Sequence, residues 1–179
     1  MKKDYAKFLV FAALLILGFG IAILALSWPL LTGKTYVLAT APVDPFDAFR
    51  GQYIDIRYEI TTLNATLLSN LAVSESDAGK YIYIILKKDD SAIYRPENVS
   101  FEIPRDEDFI RGKISDVRGN SAIVEYGIEQ FFFESGAGFS VRNITIELKV
   151  SDSGQARISK ILQDGKPLDI KYKEVKITA

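Results

Sequence analysis

Residues 8–31 read FLVFAALLILGFGIAILALSWPLL, and this stretch decides how the rest of the chain is organised. It is 24 residues long and contains no charged side chain. A helix needs about 20 apolar residues to cross the hydrocarbon core of a bilayer, so this stretch is long enough to span it with some tilt. We therefore predict a single transmembrane helix near the N-terminus, in contact with the lipid bilayer.

The lysines around this stretch predict its orientation. Three lysines precede it within the first seven residues, whereas only Lys34 follows closely. Because positive charge is enriched on the cytoplasmic side of membrane helices, we expect the N-terminus in the cytoplasm and the rest of the chain outside. The prediction is a single-pass plasma-membrane protein in which residues 1–34 are a cytoplasmic stub and anchor and residues 35–179 are an extracytoplasmic domain.

Two alternatives for the apolar stretch stay open, and a third feature concerns how two anchor helices would associate. A cleaved signal peptide has a shorter apolar region, of about 7–15 residues, and the triplet Ala39-Thr40-Ala41, which resembles a cleavage site, lies eight residues beyond Leu31. A buried helix of a soluble protein would normally show a polar face, and this stretch has none. Gly18 and Ala22 form a small-xxx-small pair, which would let two anchor helices associate as a homodimer.

The composition of the remaining chain excludes several function classes. After residue 34 there are 22 acidic and 18 basic residues, whereas a nucleic-acid-binding domain usually carries a basic surplus. The chain has no cysteine and no histidine. Disulfides and catalytic sites of the Ser-His-Asp or Cys-His type are therefore impossible, and the commonest ligand for transition metals is missing. We predict no metal site and no cofactor.

The residues after the anchor alternate in the manner of β-strands with one buried face. The clearest case places one set of side chains on one face and the intervening set on the other: Ile54, Ile56, Tyr58 and Ile60 against Tyr53, Asp55, Arg57 and Glu59. Turn signals such as Asp164-Gly165 separate eight or nine such segments. The predicted fold class is mainly β, an antiparallel barrel or sandwich with one or two short helices behind the transmembrane helix.

Residues 50–58, RGQYIDIRY, resemble the segment Gly-Asp-Tyr-x-x-Leu-x-Tyr that names the GDYXXLXY protein family. Gly51, Tyr53 and Tyr58 match that segment, while Gln52 replaces its acid and Ile56 its leucine. Three further segments resemble the family: PVDPFD at 42–47, YGIEQFF at 126–132, and the hairpin at 154–165. The resemblance implies one N-terminal membrane helix and one outer domain. It implies no catalytic residue, because no activity is established for the family.

The first candidate site lies around the turn before the 53–60 segment. Asp44, Asp47, Arg50 and Asp55 form a small polar pocket in the functional interpretation, where Arg50 grips a carboxylate or phosphate in a forked contact. In the structural interpretation, Asp44 and Asp47 are turn residues and Arg50 pairs with one of them.

Two further candidates lie near residue 130. Glu129, with Glu125 and Glu134 nearby, could supply an acid–base pair for glycoside hydrolysis or oxygen ligands for calcium, or could face solvent from a strand. Phe131 and Phe132 begin a run of three aromatic residues. They suit a hydrophobic landing patch for a partner or the bilayer surface, or alternatively the domain core.

The sequence favours a non-enzymatic role and assigns no catalytic residue. The first hypothesis is a membrane-anchored binding or scaffold domain that interacts with another envelope or membrane protein. One alternative is a carboxylate-dependent envelope hydrolase that pairs Glu129 with Asp47 or Asp55. The other is a domain that binds a small ligand or carbohydrate, which needs an aromatic-lined cavity.

Overall fold

A computed structural model describes residues 2–41, 53–132, 137–138, 144–168 and 171–172, with side chains for 5–41, 55–131 and 144–168. These residues form two α-helices, α1 (Lys2–Thr32) and α2 (Ala65–Leu68), and two 3₁₀ turns, Glu59–Thr61 and Glu75–Asp77. The strands are β1 (Lys34–Ala39), β2 (Tyr53–Asp55), β3 (Thr62–Leu63), β4 (Tyr81–Lys88), β5 (Tyr94–Ser100), β6 (Phe109–Arg118), β7 (Ser121–Glu125), β8 (Gln130–Phe132), β9 (Ala137–Gly138), β10 (Ile144–Val150), β11 (Ala156–Gln163), β12 (Lys166–Pro167) and β13 (Lys171–Tyr172).

Nine strands form one open sheet in the order β12-β11-β10-β1-β5-β4-β6-β7-β3. Neighbouring strands are antiparallel except for β1 and β5, which run parallel and meet at Leu38 and Tyr94. Two smaller sheets pair β2 with β8 and β9 with β13. The mainly β fold class behind an apolar N-terminal helix is confirmed. In the part of the chain that the structure describes, the two ends of the large sheet do not pair, so it is an open mixed sheet and not a closed barrel.

The large sheet bends around one hydrophobic core. Alternate residues of β4, β6 and β10 supply much of this core, including Ile82, Ile84, Ile110, Ile114, Ile146 and Leu148. The Arg111 amide of β6 donates to the Gly154 carbonyl in the β10–β11 turn at 2.8 Å, although three strands lie between β6 and β10 in the sheet. Full burial of each such aliphatic side chain stabilises the fold by about 1.5–3 kcal/mol.

The segment from Asp55 to Glu59 keeps its predicted alternation without forming a long strand. Ile56, Tyr58 and the following Ile60 are buried, whereas the acidic and basic residues between them are exposed. The backbone amide of Ile56 donates to the Glu129 carbonyl at 2.6 Å, and the Arg57 carbonyl accepts from the Ala41 amide at 2.8 Å. Ile56 and Arg57 therefore bond to two different segments, the one that follows β7 and the one that follows β1. The segment connects these two and does not pair with a single strand.

Pro96 lies in an interior strand. A proline in a strand usually indicates an edge strand or an interrupted strand. Strand β5, which contains Pro96, nevertheless lies between β1 and β4. The β4–β5 register shifts at this point, from Ile85 opposite Asn98 to Leu86 opposite Pro96. An irregularity in the ladder accommodates a residue that has no amide hydrogen to donate. The strand is therefore continuous, with an irregular register near Pro96, and lies inside the sheet.

Helix α1 is the one described helix that is long and apolar enough to cross a membrane. The span Tyr5–Thr32 contains an 18-residue window with a mean hydropathy of 2.9, none of it buried in the protein. This length and composition suit a membrane anchor and an N-terminal signal sequence alike.

A single residue, Gly33, separates α1 from β1. The Gly33 amide donates to the Pro29 carbonyl at 2.9 Å, and α1 contacts both β10 and β11. A β-carbon on Gly33 would lie 2.8 Å from the Val150 carbonyl oxygen and 2.9 Å from its nitrogen, and closer still to the Pro29 oxygen. The helix is therefore clamped to the sheet by close backbone packing and is not tethered through a linker.

We expect Gly33→Ala to destabilise the protein by about 1–3 kcal/mol, because the added methyl group meets backbone atoms that cannot move away independently. The measurement is the free energy of unfolding of the full chain in detergent. Gly20→Ala is the matched control, since no atom outside the local helix backbone lies within 4 Å of a β-carbon there. Equal stability of the two variants would contradict the clamp.

Candidate functional site

The two best-defined motif segments of the sequence lie against each other. Strand β2 pairs antiparallel with β8, so that Ile54 lies opposite Phe131 and Asp55 opposite Gln130. The hydrogen bond from the Ile56 amide to the Glu129 carbonyl continues this pairing beyond β2. Residues 53–60 and 125–132 therefore form one structural unit, although they lie far apart in the sequence.

Two buried tyrosines hold this unit together. The Tyr58 hydroxyl donates to the Ile128 carbonyl at 2.7 Å, and the Tyr126 hydroxyl donates to the Ile60 carbonyl at 2.6 Å. Each ring therefore reaches from its own segment to the backbone of the other. Gly112 leaves the space for this packing, because a β-carbon there would lie 2.9 Å from the Tyr126 ring.

The environment keeps both tyrosines protonated. Burial raises the pKa of the Tyr58 hydroxyl well above its usual value of 10.0, and the negative charge of Glu129 raises it further. The pKa of Tyr126 is raised for the same two reasons in the same order. Both hydroxyls therefore remain hydrogen-bond donors over the whole physiological pH range.

A tight turn, residues 126–129, follows β7. Gly127 has a φ of +75°, and glycine adopts this conformation without steric cost. One carboxylate oxygen of Glu129 accepts from the Tyr126 amide and closes the turn. No heavy atom lies within 4 Å of a β-carbon built on Gly127, so close packing does not require a glycine there. The glycine serves the turn conformation instead.

An open concavity of about 430 Å³ lies beside this turn. Its lining residues come from both motif segments and are mostly acidic or polar: Asp55, Glu125, Gly127, Glu129 and Gln130. The side-chain amide of Gln130 donates to the Asp55 carboxylate at 3.4 Å. The structure therefore brings Asp55, from one candidate site of the sequence, together with Glu125 and Glu129, from another, and adds Gln130.

The other candidate residues are placed differently. Phe131 is half-buried and packs against the core. The backbone of Phe132 pairs with Tyr53, but its side chain lies outside the described part of the chain. Asp44, Asp47 and Arg50 also lie outside the described residues, so the polar pocket around them stays a prediction.

The chemistry available in the concavity favours binding. Among the described residues, no group of three or more acids is placed to hold a metal ion, and no buried side-chain nitrogen or oxygen lacks a hydrogen-bond partner. Asp55 and Glu129 share one cavity, as a carboxylate pair for hydrolysis requires, but the Glu129 carboxylate is engaged in closing the turn. Exposed carboxylates such as those of Asp55 and Glu125 suit recognition of an ammonium or guanidinium group.

Tyr126→Phe should destabilise the protein by about 1–3 kcal/mol, because it leaves the buried Ile60 carbonyl without its donor. Tyr58→Phe should have a similar effect through Ile128. Chemical denaturation of the full chain measures both changes. Tyr81 supplies the matched control, since this residue is 56% exposed. Tyr81→Phe should change stability by less than about 0.5 kcal/mol, as is usual for surface substitutions.

The same tyrosines predict how stability depends on alkaline pH. An unfolded tyrosine ionises near pH 10, whereas folded Tyr58 and Tyr126 remain protonated there. The unfolded state therefore binds fewer protons above this pH, and the free energy of unfolding should fall as the pH rises past about 10. In Tyr126→Phe the decline should be shallower, and an unchanged slope would contradict the assignment.

Comparison with known sequences gives one result. The sequence model of the GDYXXLXY protein family matches residues 15–161, from within α1 to within β11. No curated protein and no solved structure matches the chain. The match covers most of the chain, including both motif segments of the concavity. The chain belongs to the GDYXXLXY protein family.

Proposed function

We propose that this chain is a single-pass membrane protein whose β domain lies outside the cytoplasm and binds a basic segment of another envelope protein. In this proposal residues 1–34 are the cytoplasmic stub and anchor, and the domain begins at residue 35. The lysines that precede the apolar stretch support this orientation. Membership of the GDYXXLXY protein family and the apolar helix α1 support the general class.

The position of β1 supports an anchor that is retained. This strand follows α1 after one residue and lies in the interior of the nine-stranded sheet. It contributes Tyr36 and Leu38 to the core. Cleavage at Ala39–Ala41, as a signal peptide would require, removes β1 and exposes β10 and β5 on either side of the gap. This is the observation on which the anchor depends.

The concavity supports the binding role. Three carboxylates, from Asp55, Glu125 and Glu129, line one open cavity. The tyrosine pair holds the two segments that carry them, so little conformational entropy is lost when a ligand binds. A positively charged partner segment would therefore meet a preorganised acidic surface.

A hydrolase is the second candidate, because Asp55 and Glu129 line the same cavity. It requires that Glu129→Gln abolish turnover of a glycoside, whereas the binding proposal requires only that partner affinity decrease. The carbohydrate-binding alternative has less support, since the described residues that line the concavity include no aromatic ring for stacking against a sugar.

If the anchor is retained, the N-terminus stays uncleaved on the cytoplasmic side and the β domain lies outside. Because the chain contains no cysteine, single-cysteine variants report topology without interference. Asn120→Cys should react with a membrane-impermeant maleimide in intact cells, and Lys3→Cys only after permeabilisation. The membrane fraction should contain the uncut chain of 20.0 kDa. A soluble product that begins near residue 42 would contradict the proposal.

The acidic concavity predicts a charge-dependent partner. A photo-crosslinking amino acid at Gln130 should form an adduct with a neighbouring envelope protein. Asp55→Asn and Glu125→Gln should each reduce the yield by up to about fivefold, the range measured for exposed ion pairs, and added salt should reduce it further. Glu75→Gln, in the 3₁₀ turn outside the concavity, is the control. An adduct insensitive to both substitutions and to added salt would exclude charge recognition.

A further inference from the structure

The β10–β11 turn, residues 151–155, lies at the exit of α1. Lys34, the second residue after the helix, pairs with Val150, the last residue before the turn. The backbone of Val150 packs against Gly33, and Pro29 in the last helical turn is buried. Since α1 also contacts both β10 and β11, the turn extends alongside the end of the helix.

The start of β6 joins the same surface. The Arg111 amide donates to the Gly154 carbonyl at 2.8 Å. A β-carbon on Gly154 would lie 2.8 Å from the Phe109 ring and 2.9 Å from the Arg111 β-carbon, so the turn and the strand are in close contact. Gly154 also has a φ of +80°, which disfavours any larger residue.

Asp108 fixes this strand start at the helix exit. Its carboxylate accepts from the Lys34 ammonium at 3.0 Å and from the Tyr36 hydroxyl at 2.9 Å. Partial burial opposes ionisation of Asp108, but these hydrogen bonds and the Lys34 charge outweigh burial and lower its pKa. The carboxylate therefore stays charged at neutral pH and keeps both donors in place.

Two exposed side chains, Tyr81 and Lys34, and the half-buried Arg111 on this surface suit a lipid interface. The guanidinium of Arg111 lies 4.8 Å from the centre of the Tyr81 ring, and that ring is largely exposed. The Lys34 side chain is 63% exposed. Tyrosine rings are enriched in the headgroup layer of membrane proteins, and basic residues near an anionic membrane surface are attracted to it.

We propose that this exit surface, formed by Lys34, Tyr81, Arg111 and residues 151–155, lies in the headgroup layer of the bilayer that α1 crosses. Arg111 contacts lipid phosphate groups, and the Tyr81 ring occupies the interface beside it. The proposal depends on the membrane anchoring proposed above and goes beyond it, because it specifies which face of the β domain touches the lipid.

The full chain in nanodiscs tests both proposals separately. Trp28 is the single tryptophan and is exposed on α1, so quenching of its fluorescence by brominated lipids reports helix insertion. A nitroxide on Ser153→Cys reports the turn. A nitroxide on Arg57→Cys is the reference, because Arg57 is exposed and bonds to Ala41. At the rise of an extended strand, Ala41 lies about 20 Å from the helix exit.

We expect Trp28 to be quenched and the label at position 153 to collide less with an aqueous nickel complex than the label at position 57. The protection should increase when phosphatidylglycerol is added to phosphatidylcholine nanodiscs. Arg111→Gln should reduce this lipid-dependent gain by about fivefold, the contribution of one basic residue near an anionic surface. Arg118→Gln, at the other end of β6, should leave the gain unchanged.

The possible failures are distinct. Quenched Trp28 together with equal exposure of positions 153 and 57 would overturn the membrane-contacting surface and leave the anchor intact. Unquenched Trp28 would overturn both. An unchanged gain in Arg111→Gln, with position 153 still protected, would exclude phosphate contact by Arg111 and overturn that part of the proposal.

Discussion

The apolar helix and an interior strand of the sheet are one nearly continuous piece of backbone, and the rest of the structure depends on this constraint. After Gly33 the chain enters β1 directly, and β1 pairs with β10 on one side and touches β5 on the other. The strand that follows the helix therefore lies inside the sheet and has further strands on both sides. The C-terminal end of α1 is therefore packed directly against the sheet that follows it.

The family motif has a clear structural meaning in this chain. Tyr53 pairs through its backbone with Phe132, Ile56 is buried at the position of the family leucine, and Tyr58 holds the Ile128 carbonyl. These residues fasten the first motif segment to the second. Gln52, which replaces the family's acid, lies outside the described residues. The described motif residues account for packing and for the shape of the concavity, and they need no catalytic role to explain them.

Local features were predictable because their causes are local. The alternation over residues 55–60 identified the buried face. Asp164-Gly165 forms a turn in which both residues have positive φ, at 50° and 77°, as the type that matches strand twist requires. Asp108, in the loop before β6, binds Lys34 and Tyr36, which lie far away in the sequence. The interior position of β5 and its parallel contact with β1 likewise depend on long-range pairing. Neither hydrophobic periodicity nor turn chemistry carries that information.

No flexible spacer separates α1 from β1 at Gly33, so a change in the orientation of the helix also reorients the β domain. Transmembrane helices adjust their tilt to the thickness of the surrounding bilayer, and tilts of about 20° are typical. In a protein with a loose connection such a tilt is absorbed before it reaches the globular part. Here a reorientation of that size would swing a point about 20 Å along β1 sideways by about 7 Å. If α1 crosses a bilayer as we propose, the thickness of that bilayer is coupled mechanically, through Gly33, to the direction in which the acidic concavity faces.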